Sequence, residues 1–117
     1  MPQEDHDRRI DYIEFAVLDI DAVKTFYSTV FNWSFTDYGP DYSSFADGRL
    51  TGGFAKSDSV QPGGPLVVLY SVDLAGIKDA VVTNGGAITK DIFEFPGGKR
   101  FQFRDPAGYE LAVWSDK

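Results

Sequence analysis

Apolar residues along this chain fall into two alternating kinds of period, and the order in which they come is itself repeated. From Ile10 to Val17 the period is two: Ile13, Phe15 and Val17 point one way and Tyr12, Glu14 and Ala16 the other, which predicts a strand with a core face and a more polar face. Behind Asp19, a good N-cap, Ile20, Val23, Phe26, Tyr27, Val30 and Phe31 recur at helical spacing and predict an amphipathic helix of about three turns. Trp33 to Asp37, Ser43 to Ala46 and Leu50 to Lys56 are short strands, separated by Tyr38-Gly39-Pro40 and by Asp47-Gly48, a hairpin signal. The stretch reads as one βαβββ unit.

The pattern then starts again. Leu66 to Val72 is a strand, Asp73 caps a helix that turns Leu74, Ile77, Ala80 and Val81 inward, and Asn84-Gly85-Gly86 ends it with residues that tolerate the left-handed region. Ala87 to Phe95, Lys99 to Arg104 and Tyr109 to Trp114 supply three more strands, the last two joined by Asp105-Pro106-Ala107-Gly108, which suits a type I turn. The echo is explicit: Asp19-Ile20-x-x-Val23-Lys24-x-x-Tyr27 is answered 54 residues later by Asp73-Leu74-x-x-Ile77-Lys78-x-x-Val81. A repeat of this length implies a supersecondary unit that cannot bury its apolar face alone and is completed by its twin. The expected organisation is a polar, flexible tail over residues 1–9 and a single α+β domain over 10–117, made of module one (10–57), a linker (58–65) around Pro62-Gly63-Gly64-Pro65, and module two (66–117).

Composition narrows the partners. With 117 residues, 43% of them hydrophobic, the chain suits one packed domain, and its eighteen acidic against eleven basic side chains leave a formal charge of −7. Phosphate would repel such a surface, so neither nucleic acid nor an anionic membrane is an expected partner. There is no cysteine, hence no disulfide framework, thiol nucleophile or thiolate metal site. The apolar runs are too short to span a bilayer and residues 1–9 are not signal-like, so a cytoplasmic protein is expected.

Three stretches together resemble the vicinal oxygen chelate superfamily, which includes lactoylglutathione lyase, extradiol dioxygenases and bleomycin-resistance proteins. They are the Ile-x-x-Ile-x-x-x-Val-x-Asp-Ile-x-x-x-x-x-Phe-Tyr run from Ile10 to Tyr27, the Val-x-Asn-Gly-Gly helix end at 82–86, and Phe103-Arg104-Asp105-Pro106-x-Gly108 followed by Leu111-x-Val113-Trp114. The resemblance spans nearly the whole chain. It implies paired βαβββ modules curling a mixed sheet into a cup where ligands bind, and frequent homodimers. It also implies where a divalent metal would be held in catalytic members, by His and Glu from the first and last strand of each module. At those places this chain has Tyr12, Leu66 or Val67, Gly52 or Gly53, and Ala112. His6, the one histidine, lies in the tail, so no metal site and no cofactor are expected.

Alternation then nominates what faces the cup: Tyr12, Glu14, Gln102, Arg104, Glu110 and Trp114. Glu14 and Glu110 are the carboxylate pair to weigh for catalysis, since two acids in a partly apolar cavity can be driven into acid and base roles. The alternative is a satisfied polar interior, with Glu110 paired to Arg104 or Arg100 and Glu14 bonded to Tyr12 or Gln102. Tyr38 and Tyr42, flanking Gly39-Pro40, join Trp114 as candidates for ligand contact, while most strand aromatics are expected in the core. Gly97-Gly98-Lys99-Arg100 resembles an anion cradle but reads better as a hairpin turn with solvated charges. Without a histidine in the fold a Ser-His-Asp hydrolase is excluded. Two functions follow: a metal-free member that binds a small organic molecule in its cup as a homodimer, in the manner of sequestering resistance proteins, or a lyase or isomerase related to lactoylglutathione lyase that uses Glu14 and Glu110.

Overall fold

A computed structural model of the chain describes residues 3–117. Met1 and Pro2, part of the expected tail, lie outside the described residues. Gln3–His6 make one exposed 3-10 turn, and eight strands with two helices follow in the predicted order. In module one these are β1 (Tyr12–Val17), α1 (Ile20–Phe31), β2 (Ser34–Asp37), β3 (Tyr42–Ala46) and β4 (Thr51–Lys56). Module two contributes β5 (Val67–Tyr70), α2 (Leu74–Thr83), β6 (Ala87–Phe95), β7 (Gly98–Arg104) and β8 (Glu110–Ser115). Among the described residues no helix is long and apolar enough to cross a membrane.

Both helices begin as the sequence dictates. The Asp19 carboxylate accepts from the Ala22 amide and Asp73 from that of Gly76, each at 3.1 Å, so each cap satisfies an amide that the helix leaves free. α1 ends where Asn32 turns left-handed (φ 60°), and α2 where Gly85 does (φ 95°). The repeat extends to an ion pair nobody would read from periodicity: Lys24 on α1 meets Asp37 on β2, and Lys78 on α2 meets Asp91 on β6, again 54 residues on.

Each module folds into its own four-stranded mixed sheet, in the orders β1-β4-β3-β2 and β5-β8-β7-β6. In both, the first strand runs parallel to the last, as βαβ connectivity requires, and the remaining pairs are antiparallel. The modules pack through a common core. Phe26 and Phe31 of α1 reach Phe103 of the second sheet, while Tyr27 stacks on Trp33 and Phe54 of its own. Val17, Val23, Phe101, Phe103 and Val113 are fully buried there.

The α+β class, the paired modules and their mixed sheets are as expected. Each module contributes one four-stranded sheet, and the two sheets share no hydrogen-bonded edge. The inner faces of both sheets turn toward the helices and the common core, which leaves the outer faces open and β1, β2, β5 and β6 as edge strands.

Candidate functional site

Register decides which side chains share an outer face. In the first sheet β1 pairs with β4 so that Glu14 lies opposite Gly53, and β3 pairs so that Ser44 flanks Gly53 on the other side. Phe15, Phe45 and Phe54 belong to the core cluster, so Tyr12, Glu14, Ser44 and Gly53 point outward. The Tyr12 and Tyr42 hydroxyls meet over Gly53 at 2.6 Å, and Tyr42 donates to Glu14 Oε1 at 2.8 Å. With the Tyr42 proton spent on Glu14, Tyr12 is the donor of the tyrosine pair. A Cβ at Gly53 would strike both hydroxyls, so the missing side chain is what lets them meet. Burial, then the bonds to Tyr12 and Glu14, push the Tyr42 phenol well above its usual range.

The second sheet repeats this frame with different chemistry. Leu69 pairs with Val113 as Phe15 pairs with Phe54, which makes Val68 the mate of Glu14, Leu66 that of Tyr12, and Ala112 that of Gly53. The two register ambiguities in the sequence are thereby resolved to Leu66 and Gly53. Glu110 accepts from Thr89 at 2.6 Å and from the Gln102 amide at 3.1 Å, and these bonds, with a smaller effect of Arg104, hold its carboxyl below the usual range. Arg104 donates to the Gly108 carbonyl. Gln102, Arg104 and Glu110 line a pocket of about 270 Å³ walled by Pro62 to Leu66, so the linker is part of this site.

Several expected partnerships are replaced. Glu14 is bonded by Tyr42, not by Tyr12 or Gln102, because Tyr42 at the start of β3 reaches diagonally across Gly53. Among the described residues Glu110 makes no ion pair with Arg100 or Arg104. Glu14 and Glu110 stand on different sheets, and among the described residues no hydrogen bond joins them. Tyr38 is 65% exposed beside Tyr42, with ring centroids 6.5 Å apart. Trp114 packs edge-on against Tyr70, and both line a cleft of about 460 Å³ between the sheets, whose walls include Ile13, Phe15, Trp33 and Leu69 together with the charged Asp47 and Arg49. Of the other aromatics, Trp33 and Phe45 are core, whereas Phe93 lies on the outer face beside Arg100.

The residues do not fit a family-type metal. Phenol, isobutyl, hydrogen and methyl side chains at Tyr12, Leu66, Gly53 and Ala112 offer no imidazole and no carboxylate. Among the described residues no three His, Cys, Asp or Glu side chains gather into a ligand set.

Sequence reading missed Asp105. It is 5% exposed, takes the Tyr27 hydroxyl on Oδ2 at 2.7 Å and the Ala107 and Tyr109 amides on Oδ1, and so ties α1 to the β7–β8 turn. The Tyr109 hydroxyl returns the link to the Ala16 carbonyl at 2.8 Å. The Asp-Pro-x-Gly turn and the Phe-Tyr pair were both visible, but nothing in one sequence says that they touch.

The family model described as the Glyoxalase/Bleomycin resistance protein/Dioxygenase superfamily matches residues 9–113. Among solved structures, the chain is similar to a glyoxalase/bleomycin resistance protein/dioxygenase family enzyme from Burkholderia phytofirmans PsJN, with a TM-score of 0.80 at 16% identity over 92% of this chain and 100% of that one. A glyoxalase-related enzyme from Fulvimarina pelagi also gives a TM-score of 0.80 at 16% identity, covering 92% and 88% of the two chains. A lactoylglutathione lyase from Agrobacterium tumefaciens gives 0.72 at 19% identity, covering 92% and 93%. No curated protein sequence matches the chain significantly.

Proposed function

The chain belongs to the glyoxalase/bleomycin resistance protein/dioxygenase superfamily, and on that premise we propose that it binds a small organic molecule, without a metal, in a cup completed by a second copy of itself. The observation that carries this reading is the substitution of the ligand positions. Where catalytic relatives would hold a cation, Tyr12, Gly53, Leu66 and Ala112 offer contact area and one hydroxyl. Around them stand groups suited to fixing an organic ligand: the Tyr12–Tyr42–Glu14 chain on one sheet and Gln102, Arg104 and Glu110 on the other.

Homodimerisation is supported by the free edges. β1 and β5 are mates in the repeat, each unpaired on one side, and Tyr12, Leu66, Val68 and Tyr70 leave 38–46% of their surface exposed around them. Bare apolar edges invite strand pairing. Pairing β1 of one copy with β5 of the other would set the tyrosine face beside the Gln102–Glu110 face and make one concave wall. A cytoplasmic location, suggested by the absence of cysteine, belongs to the same reading.

Elemental analysis with native mass spectrometry of the purified protein tests it. The expected result is a dimer carrying a small organic molecule and no stoichiometric divalent metal; one bound nickel, zinc or iron per chain would overturn it. Glu110→Gln discriminates sequestration from a lyase or isomerase that uses Glu14 and Glu110. Both carboxylates already accept hydrogen bonds and Glu110 is held ionised, which suits ligand fixing. The variant is expected to keep its ligand with altered affinity, whereas an enzyme of this kind would lose turnover and still bind.

A further inference from the structure

Arg100 stands apart from the other charges of the second sheet. The register places it in a row across the outer face, Phe93 on β6, Arg100 on β7, Trp114 on β8 and Tyr70 on β5. Its guanidinium lies 5.3 Å from the centre of the Phe93 ring, and Lys90 Nζ lies 4.4 Å from the same centre. Two cations therefore share one phenyl ring, a contact that orients them without neutralising either.

Neither is compensated. None of the three ion pairs among the described residues uses Arg100 or Lys90. The hydrogen-bond acceptor that the guanidinium has is a neutral one, the Gln102 amide oxygen, 3.2 Å from Nη2, and its buried Nε has no partner. A native interior rarely leaves such a donor unused. The isolation is sharper because eighteen acidic side chains outnumber eleven basic ones, yet none is placed against this pair. The nearest carboxylate in the network is Glu110, reached through Gln102 and already occupied by Thr89.

We propose that Arg100, with Lys90 beside it, is the receptor for the carboxylate of an aromatic small molecule whose ring packs into the corner between Trp114 and Tyr70. The guanidinium presents planar paired donors that match a carboxylate, which an ammonium does not. The adjoining rings, Trp114 and Tyr70 at 5.2 Å and Trp114 and Phe95 at 6.2 Å, are inclined to one another by 70° and 55° and supply an aromatic corner next to the charge. The ligand class rests on the reading that these sheet faces bind a small molecule. The anion site itself lies within one sheet of one chain.

Calorimetry with indole-3-acetate and its uncharged twin indole-3-acetamide, on the wild type, Arg100→Met and Arg100→Lys, tests the assignment. A charge-assisted bond lost at this position weakens the acid by roughly 10- to 100-fold. The acid is expected to bind the wild type more tightly than the amide by that factor, Arg100→Met to erase the preference without changing amide binding, and Arg100→Lys to restore part of it. Arg100→Met gives up the Nη2 bond to neutral Gln102 and the contact with Phe93 but relieves the unpartnered buried Nε, so it is expected to stay folded with a melting temperature close to that of the wild type, and a melting curve checks this. Equal binding of acid and amide, or a preference that survives Arg100→Met, overturns the anion site and leaves small-molecule binding standing. Failure of both probes to bind overturns the anion site too; if native mass spectrometry also finds no organic molecule on the purified protein, the binding reading falls with it.

Discussion

Asp105 holds the two modules together through atoms that a sequence cannot connect. Its carboxylate is buried, and burial lifts its pKa above the ordinary value even though bonds from Tyr27, Tyr109 and Ala107 pull it down. Tyr27 is shifted up in turn, by burial first and by the facing carboxylate second. An acid whose folded pKa exceeds its unfolded one binds its proton more tightly when folded, so stability from Asp105 is greatest below pH 3.8 and declines as pH rises through the lifted value. Tyr27→Phe leaves a buried carboxylate oxygen without its donor and is expected to cost about 1–3 kcal/mol at pH 7. Asp105→Asn keeps the acceptor for the two amides and removes the titration, so it is expected to flatten the dependence on pH across that window. Urea unfolding from pH 3.5 to 7 reads both; an unchanged slope in Asp105→Asn would contradict the assignment.

At the scale of elements, the strands and helices were legible because each carries its own signal: alternation in β1, Asp caps on α1 and α2, Gly85 at the stop of α2. Pairing across elements was not legible, because it depends on register. Tyr42 reads as a loop residue beside Gly39-Pro40 but opens β3 opposite Ala55, and only that position takes its hydroxyl to Glu14. Arg100 reads as the solvated end of a glycine turn; Pro96 and Gly97 do form the turn, and the two strands leaving it put Arg100 between Phe93 and Trp114. The duplicated helix-to-strand ion pairs belong to this scale as well. Bonds from Lys24 and Ser43 lower Asp37, and bonds from Lys78 and the Ile92 amide lower Asp91. Their sign is opposite to that of Asp105: a depressed folded pKa stabilises above the unfolded value and the contribution is lost as pH falls through the depressed one. Asp37→Asn and Asp91→Asn are each expected to give a small loss at pH 7 that vanishes in acid and shrinks in high salt, the two losses adding in the double variant because the pairs sit in different modules. Thermal melts at pH 7 and pH 3, with and without 1 M salt, check this.

At the scale of the whole molecule, the question is what closes the cup. Both sheets spend their inner faces on the shared helical core, and within the chain β1 and β5 line a common cleft without hydrogen-bonding to each other. In the proposed dimer a two-fold axis would serve both edges at once, since the same contact, β1 on β5, would be made twice; β2 and β6 would remain the outer edges of the joined sheets. The arrangement makes Val68 diagnostic: it is 44% exposed on the edge strand, beside Ala112 at the centre of the proposed cup. Lysine there would bury an unpartnered charge on pairing and is expected to weaken the dimer by at least about 100-fold. Val82→Lys adds the same charge on an exposed position of α2, on neither β1 nor β5, and is expected to leave the dimer intact. Light scattering behind size exclusion at about 10 µM reads the masses, with circular dichroism to confirm that both variants are folded. If the wild type elutes as a monomer, or if both lysines act alike, the cup is not built from β1 and β5 of two copies, and the faces carrying Tyr42 and Gln102 work separately.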